Sequence, residues 1–176
     1  MKTKDLTLTA VMAALLCLAG PMSLSIGPVP LSLASFAVYL AGAVLGPRRG
    51  AAAVGIYLLL GLIGIPVFSG FSGGFQKLAG VTGGYLAGYL PCALLSGLGA
   101  RRALSGKKAL LPGGMILGTA VLYLIGTAWF LLQTGQTLVG ALSLCVLPFL
   151  PGDAVKIAAA SLLTPPLRKA LAGQGS

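Results

Sequence analysis

The sequence predicts an all-α, polytopic membrane protein with six transmembrane helices, both termini on the cytoplasmic side, and outer loops folded into a lid. Three observations carry that reading. The chain is 57% hydrophobic and only 8% charged, whereas a soluble domain carries about 25% charged residues, so a water-exposed surface cannot be built from this inventory. Its 27 glycines suit close helix packing in lipid. Of its 12 basic residues, all but Lys77 and Lys156 fall in clusters between apolar runs, where they act as topology determinants. The 176 residues read as a single integral membrane domain, 1–176.

Helices are expected near 6–24, 31–46, 51–65, 80–100, 111–132 and 151–169. Residues 2–20 have the basic start and apolar run of a signal peptide. No small-x-small cleavage site is followed by a soluble domain, so they read as the first transmembrane helix. A bilayer core of roughly 30 Å needs about 20 helical residues. The second and third segments are short by that measure, so adjoining loops must help fill the membrane thickness, covered by protein or lining a cavity.

The clusters then orient the chain. Lys2 and Lys4 precede the first helix, and Arg48 and Arg49 separate the second from the third. Arg101, Arg102, Lys107 and Lys108 separate the fourth from the fifth, while Arg168 and Lys169 follow the sixth. Six spans bring all of these to one face, the cytoplasm by the positive-inside rule; five or seven would split them.

Segments 25–30, 66–79 and 133–150 then face outward, uncharged except for Lys77. Gly70, Gly73 and Gly74 alternate with Phe68, Phe71 and Phe75, which makes 66–79 too apolar to extend into water and favours a lid over the bundle. In the third outer connection, 136–147 reads as a short helix ended by Pro148. Pro151 and Gly152 open the sixth helix, with Asp153 in its first turn. Such a terminus offers free N–H groups and positive partial charge.

A charge that does not flank a span is costly and is usually kept for a task. That singles out Lys77, Asp153 and Lys156. Asp153 and Lys156 are spaced i, i+3 and share a helix face. They suit two readings: a helix cap with a neutralising or snorkelling lysine, or a polar ligand site. An Ala or Ser would end the helix at less cost than an ion pair at membrane depth. An aspartate accepts N–H groups and a lysine attracts a carboxylate. With Tyr85 after Gly83-Gly84, and Trp129, nearby, the pair suits a small amphiphile with an N–H-bearing head and an acid tail. Ser32, Gln76 and Thr82 are polar groups expected at the same end, each also able to satisfy backbone.

The inventory excludes much else. There is no histidine, no carboxylate dyad and no nucleophile–base set, which argues against a membrane enzyme, a metal site or a resident cofactor. Cys17, Cys92 and Cys145 lie in apolar stretches and read as small hydrophobes. Ser105-Gly106-Lys107-Lys108 looks like the end of a phosphate loop, but Arg101 stands at the leading glycine position and no Ser or Thr follows the lysine. Work driven by ATP would need another chain. The net charge of +10 is spread over loop clusters and is not a nucleic-acid patch. Ala10 and Ala14, and Gly80, Gly84 and Gly88, form small-xxx-small patterns that read by default as packing seams.

Several stretches together resemble one family. They are Gly27-Pro28-Val29-Pro30, Leu45-Gly46-Pro47-Arg48-Arg49-Gly50, Gly64-Ile65-Pro66-Val67-Phe68 with Gly73-Gly74, Thr82-Gly83-Gly84-Tyr85, and Phe149-Leu150-Pro151-Gly152-Asp153 with Lys156. In this order they are similar to the BioY family, biotin-binding S components of energy-coupling factor (ECF) transporters. The resemblance implies a multi-pass subunit of the prokaryotic plasma membrane that captures biotin at its outer face beneath loop lids. It implies partners in a transmembrane T component and paired ATPases. Within it, Ala10 and Ala14 become a coupling interface. Asp153, Lys156, Tyr85, Gly73, Gly74, Gln76, Ser32 and Lys77 become substrate-binding candidates: Asp153 for the ureido N–H groups, Lys156 or Lys77 for the carboxylate or ureido oxygen. Where the family often carries Thr and then Gln after Gly-Pro-Val-Pro, this chain has Ser32 and Ala34, which removes an amide and keeps a hydroxyl. The alternatives are an ion-coupled secondary transporter of a small organic acid, and an S component for a different vitamin.

Overall fold

A computed structural model of the chain describes residues 3–24 and 31–173; the Gly27–Pro30 motif lies outside them. The elements are α1 (Thr3–Ala19), β1 (Ser23–Leu24), β2 (Leu31–Ser32), α2 (Ala34–Leu45), α3 (Pro47–Leu62), α4 (Phe75–Ala79), α5 (Gly83–Ala103), α6 (Leu110–Thr134), α7 (Leu138–Cys145) and α8 (Leu150–Gly173). Apart from one two-residue antiparallel pair, β1 with β2, the described elements are helices.

Each expected helical segment is a helix, with ends moved for local reasons. α1 stops at Ala19 and α2 waits until Ala34 because the strand pair occupies the connection. The Ser32 hydroxyl accepts from the Ala34 N–H at 3.0 Å to start α2. α3 starts at Pro47 and not at 51: proline's fixed φ and missing N–H suit a first helical position. Gly46, at φ +87°, makes the sharp break from α2. α7 is capped by Thr137, whose hydroxyl accepts from the Gly140 N–H at 3.3 Å, and it meets α8 at a bend of 49°. Among the described helices, α6 alone is long and apolar enough to cross a bilayer by itself, and the bent α7–α8 pair passes the same test jointly.

The tightest interface joins α5 to α6 along glycines. A Cβ on Gly114 would lie 2.7 Å from the Gly99 Cα, and one on Gly99 equally close to the Gly114 Cα. Gly84 lies against Trp129 and Gly88 against Leu122. Gly80 stands outside this helix, at the C-cap of α4. Absence of side chains lets the backbones approach, which in lipid supplies the packing that hydrophobicity does not. α8 leans on α2 and touches α6 only lightly.

Segment 66–79 folds down on the bundle. Phe68 is fully buried, edge-on to Tyr57 with ring centroids 5.5 Å apart, and Gly61 leaves the room its ring fills. The Phe68 N–H donates to the Ser72 carbonyl at 2.8 Å, and the Gly74 N–H to the Gly61 carbonyl at 2.7 Å. Trp129 Nε1 and Gln133 Nε2 donate to the Gly80 and Ala79 carbonyls at 2.9 and 2.7 Å.

The basic clusters gather at the other end. Lys4 Nζ donates to the Leu171 carbonyl at 2.9 Å, Arg49 pairs with Asp5 at 2.6 Å, and Arg168 reaches the Ala100 carbonyl at 3.4 Å.

Candidate functional site

Asp153 stands in the first turn of α8, but its carboxylate takes no N–H of that helix among the described hydrogen bonds. Oδ1 accepts from Lys156 Nζ at 3.2 Å, and Oδ2 accepts from the hydroxyl of Tyr123, in the middle of α6. Lys156 Nζ also donates to the Ser32 carbonyl at 2.8 Å and to Ser35 Oγ at 3.0 Å. Its three donors are thereby used. The Asp153 and Lys156 side chains are only 10% and 11% exposed, so they form a buried pair whose remaining valences are met by neighbouring groups, the condition under which such a pair survives desolvation. It also fastens α8 to the start of α2 and to α6.

Above the pair lies a cavity of about 50 Å³ walled by Ser32, Ser35, Tyr85, Tyr89, Leu122, Tyr123, Cys145 and Phe149. A second hollow of about 20 Å³, lined by Phe68, Ser69, Lys77, Thr82 and Leu86, shares Tyr85 and Tyr89 with it. The two tyrosines therefore partition one region into two small spaces. Tyr85 is set by α6: its hydroxyl meets Thr127 Oγ1 at 3.2 Å, and its ring fills the place a side chain on Gly126 would take. Tyr89 lines both spaces, and its hydroxyl has no partner among the described hydrogen bonds.

Of the sequence candidates, Asp153, Lys156, Tyr85 and Ser32 line the first space and Lys77 the second. Gly73, Gly74 and Gln76 line neither. Gly73 lies against the Ile65 carbonyl, Gly74 holds φ +92° at the start of α4, and Gln76 is exposed. The glycines shape the segment above the site. Trp129 packs on Gly84 away from both spaces. Ala10 and Ala14 are exposed on α1, whose buried residues are Thr9, Ala13 and Leu16.

Sequence reasoning passed over Ser35, Tyr89 and Tyr123. A signal existed: a tyrosine within an apolar helix needs a partner for its hydroxyl, and Ser35 follows Ser32 by one turn. Tyr123→Phe removes the donor to Asp153 Oδ2 and leaves that oxygen short of a partner. A loss of about 1–3 kcal/mol is expected, read as a lower thermal midpoint in detergent, while Tyr57→Phe, which has no such bond, serves as the reference.

The sequence pattern of the BioY family matches residues 1–173. The chain belongs to the BioY family. Three similar proteins illustrate the BioY match. A probable biotin transporter BioY from Pyrococcus horikoshii is 43% identical over 163 residues, covering 93% of this chain and 95% of that protein. The biotin transporter BioY of Thermotoga maritima is 36% identical over 167 residues, with 94% and 96% covered. Among solved structures, the S component for biotin from an ECF-type ABC transporter superposes with a TM-score of 0.83 at 30% identity, covering 96% of this chain and 92% of that one.

Proposed function

We propose that this BioY-family chain is the substrate-binding membrane subunit of an ATP-dependent biotin uptake system, and not an enzyme. The single observation that carries the reading is the buried Asp153–Lys156 pair beneath a tyrosine-walled cavity. Asp153 presents acceptors to the N–H groups of a ureido ring, and Lys77, or Lys156 on exchanging one of its present acceptors for the ligand, presents an ammonium to its oxygen or to the distal carboxylate. The names and fold of the relatives agree with that chemistry.

The arrangement described is closed. A cavity of about 50 Å³ holds one or two waters at about 30 Å³ each, far below the roughly 300–1,000 Å³ of small-molecule sites. Biotin is admitted when Tyr85 and Tyr89 cease to divide the two spaces and segment 66–79, carrying Gly73, Gly74, Gln76 and Lys77, lifts as the lid. The six long helices (α1, α2, α3, α5, α6, α8) span the prokaryotic cell membrane, termini inside, with that segment outside. Ala10 and Ala14 form the coupling surface for a transmembrane T component, and paired ATPases supply the energy.

The test joins binding to transport. The purified subunit binds biotin in the nanomolar range and ignores unrelated vitamins. Uptake in cells needs the ATPase partners, and Ala10→Arg with Ala14→Arg leaves binding intact while uptake falls at least about tenfold. Uptake that follows a proton gradient without ATPases would instead establish the secondary transporter, and selective binding of another vitamin would change the ligand.

A further inference from the structure

A large hollow lies away from the Asp153 pair, between the end of α5, the start of α6 and the later turns of α8. It measures about 890 Å³, within the range of sites that hold small amphiphiles. It exists because α8 leans on α2 and barely touches α6. Its walls are apolar (Ala100, Ala103, Leu104, Leu111, Leu162, Pro165) and its rim carries Lys108, Arg168 and Lys169. Leu104 and Leu162 are 73% and 77% exposed, so the hollow opens sideways from the bundle.

Charge decides what fits. The chain has only two acidic residues, and both are engaged: Asp5 by Arg49, Asp153 by Lys156. No acidic side chain remains for Lys108, Arg168 and Lys169. Arg168 is partly buried and gives one N–H to the Ala100 carbonyl, which leaves most of its fork for an outside acceptor. A soluble anion would answer the rim but leave the apolar walls bare. An anionic phospholipid answers both. Basic pockets between helices at the cytoplasmic boundary are suited to such head groups.

We propose that this groove holds one anionic phospholipid, its phosphate on Lys108, Arg168 and Lys169 and an acyl chain along Leu104, Leu111 and Leu162. The proposal rests on the inward orientation of this end but not on biotin as ligand.

The test titrates the detergent-purified chain with phosphatidylglycerol, phosphatidylcholine of the same acyl chains, and inorganic phosphate, reading thermal midpoint and bound lipid by native mass spectrometry. Phosphatidylglycerol raises the midpoint and is retained as a single adduct at least about tenfold better than phosphatidylcholine; phosphate does neither. Lys108→Gln with Arg168→Gln and Lys169→Gln abolishes the preference. Arg48→Gln with Arg102→Gln and Lys107→Gln, an equal charge loss outside the groove, preserves it. Equal retention of the two lipids overturns the proposal, as does a preference that survives the first triple variant or falls equally in both. Should the first triple variant keep its lipid preference yet fail to assemble with the T component, the groove is a protein-docking face and the lipid assignment falls. No arm needs biotin, so failure here is distinguishable from failure of the uptake reading.

Discussion

Replacing Asp153 with Ala weakens biotin binding by the purified subunit about 100- to 10,000-fold. The carboxylate accepts from two donors in the structure, Lys156 and Tyr123, and can accept from a ligand in their place. Charged hydrogen bonds contribute roughly 1.5–3 kcal/mol each, so losing two costs about 3–6 kcal/mol, and every 1.4 kcal/mol is about tenfold in affinity. The same substitution strands the Lys156 ammonium with only Ser32 and Ser35 as acceptors. Removing one partner of a buried pair costs about 3–5 kcal/mol of stability, so a lower thermal midpoint accompanies the loss. A double variant separates the two effects. Asp153→Ala with Lys156→Met removes both charges, recovers much of the stability and still fails to bind. Calorimetric titration of the three proteins decides: an Asp153→Ala protein that melts lower but keeps wild-type affinity would make the aspartate a structural anchor only.

Gly114→Leu destabilises the bundle by about 2–3 kcal/mol, and Gly113→Leu leaves it nearly unchanged. The residues are adjacent in α6, yet a Cβ at Gly114 meets the Gly99 Cα and the Leu95 carbonyl at 2.7 Å, while one at Gly113 meets nothing within 4 Å. The obstacles at Gly114 are backbone of α5, which has no rotamer to change, so the helices must separate and overpacking strain results. For a chain of this size each kcal/mol moves the midpoint by about 2–4 °C, giving a drop of about 4–12 °C for Gly114→Leu. Equal midpoints for the two variants in a thermal unfolding series would show that the α5–α6 seam yields elsewhere.

The two cases differ in how much of them the sequence announces. Asp153 and Lys156 stand out from composition alone, because a chain with two acidic residues and an unclustered lysine one turn from one of them declares its polar site. Their partners do not. Tyr123 and Ser35 come from α6 and α2, distant in sequence, and reach the pair only because of how those helices pack. Gly113 and Gly114 look alike in the sequence; only the position of α5 separates an open face from a closed one. Likewise Gln76 is the neighbour of Lys77, yet only Lys77 lines a cavity, since the one-turn helix α4 turns neighbouring side chains in different directions.

By itself the sequence determined the helical class, the order of the helices, the clustering of its cations and the family. Those follow from local properties: hydropathy, the φ demands of Pro47 and Gly46, and the scarcity of charge. Tertiary structure decided which tyrosines border the site, that the Asp153 carboxylate serves α6 and not its own helix terminus, and that the bundle leaves a basic, apolar groove beside α8. Those depend on distances between segments remote in the chain, which periodicity along one helix does not encode.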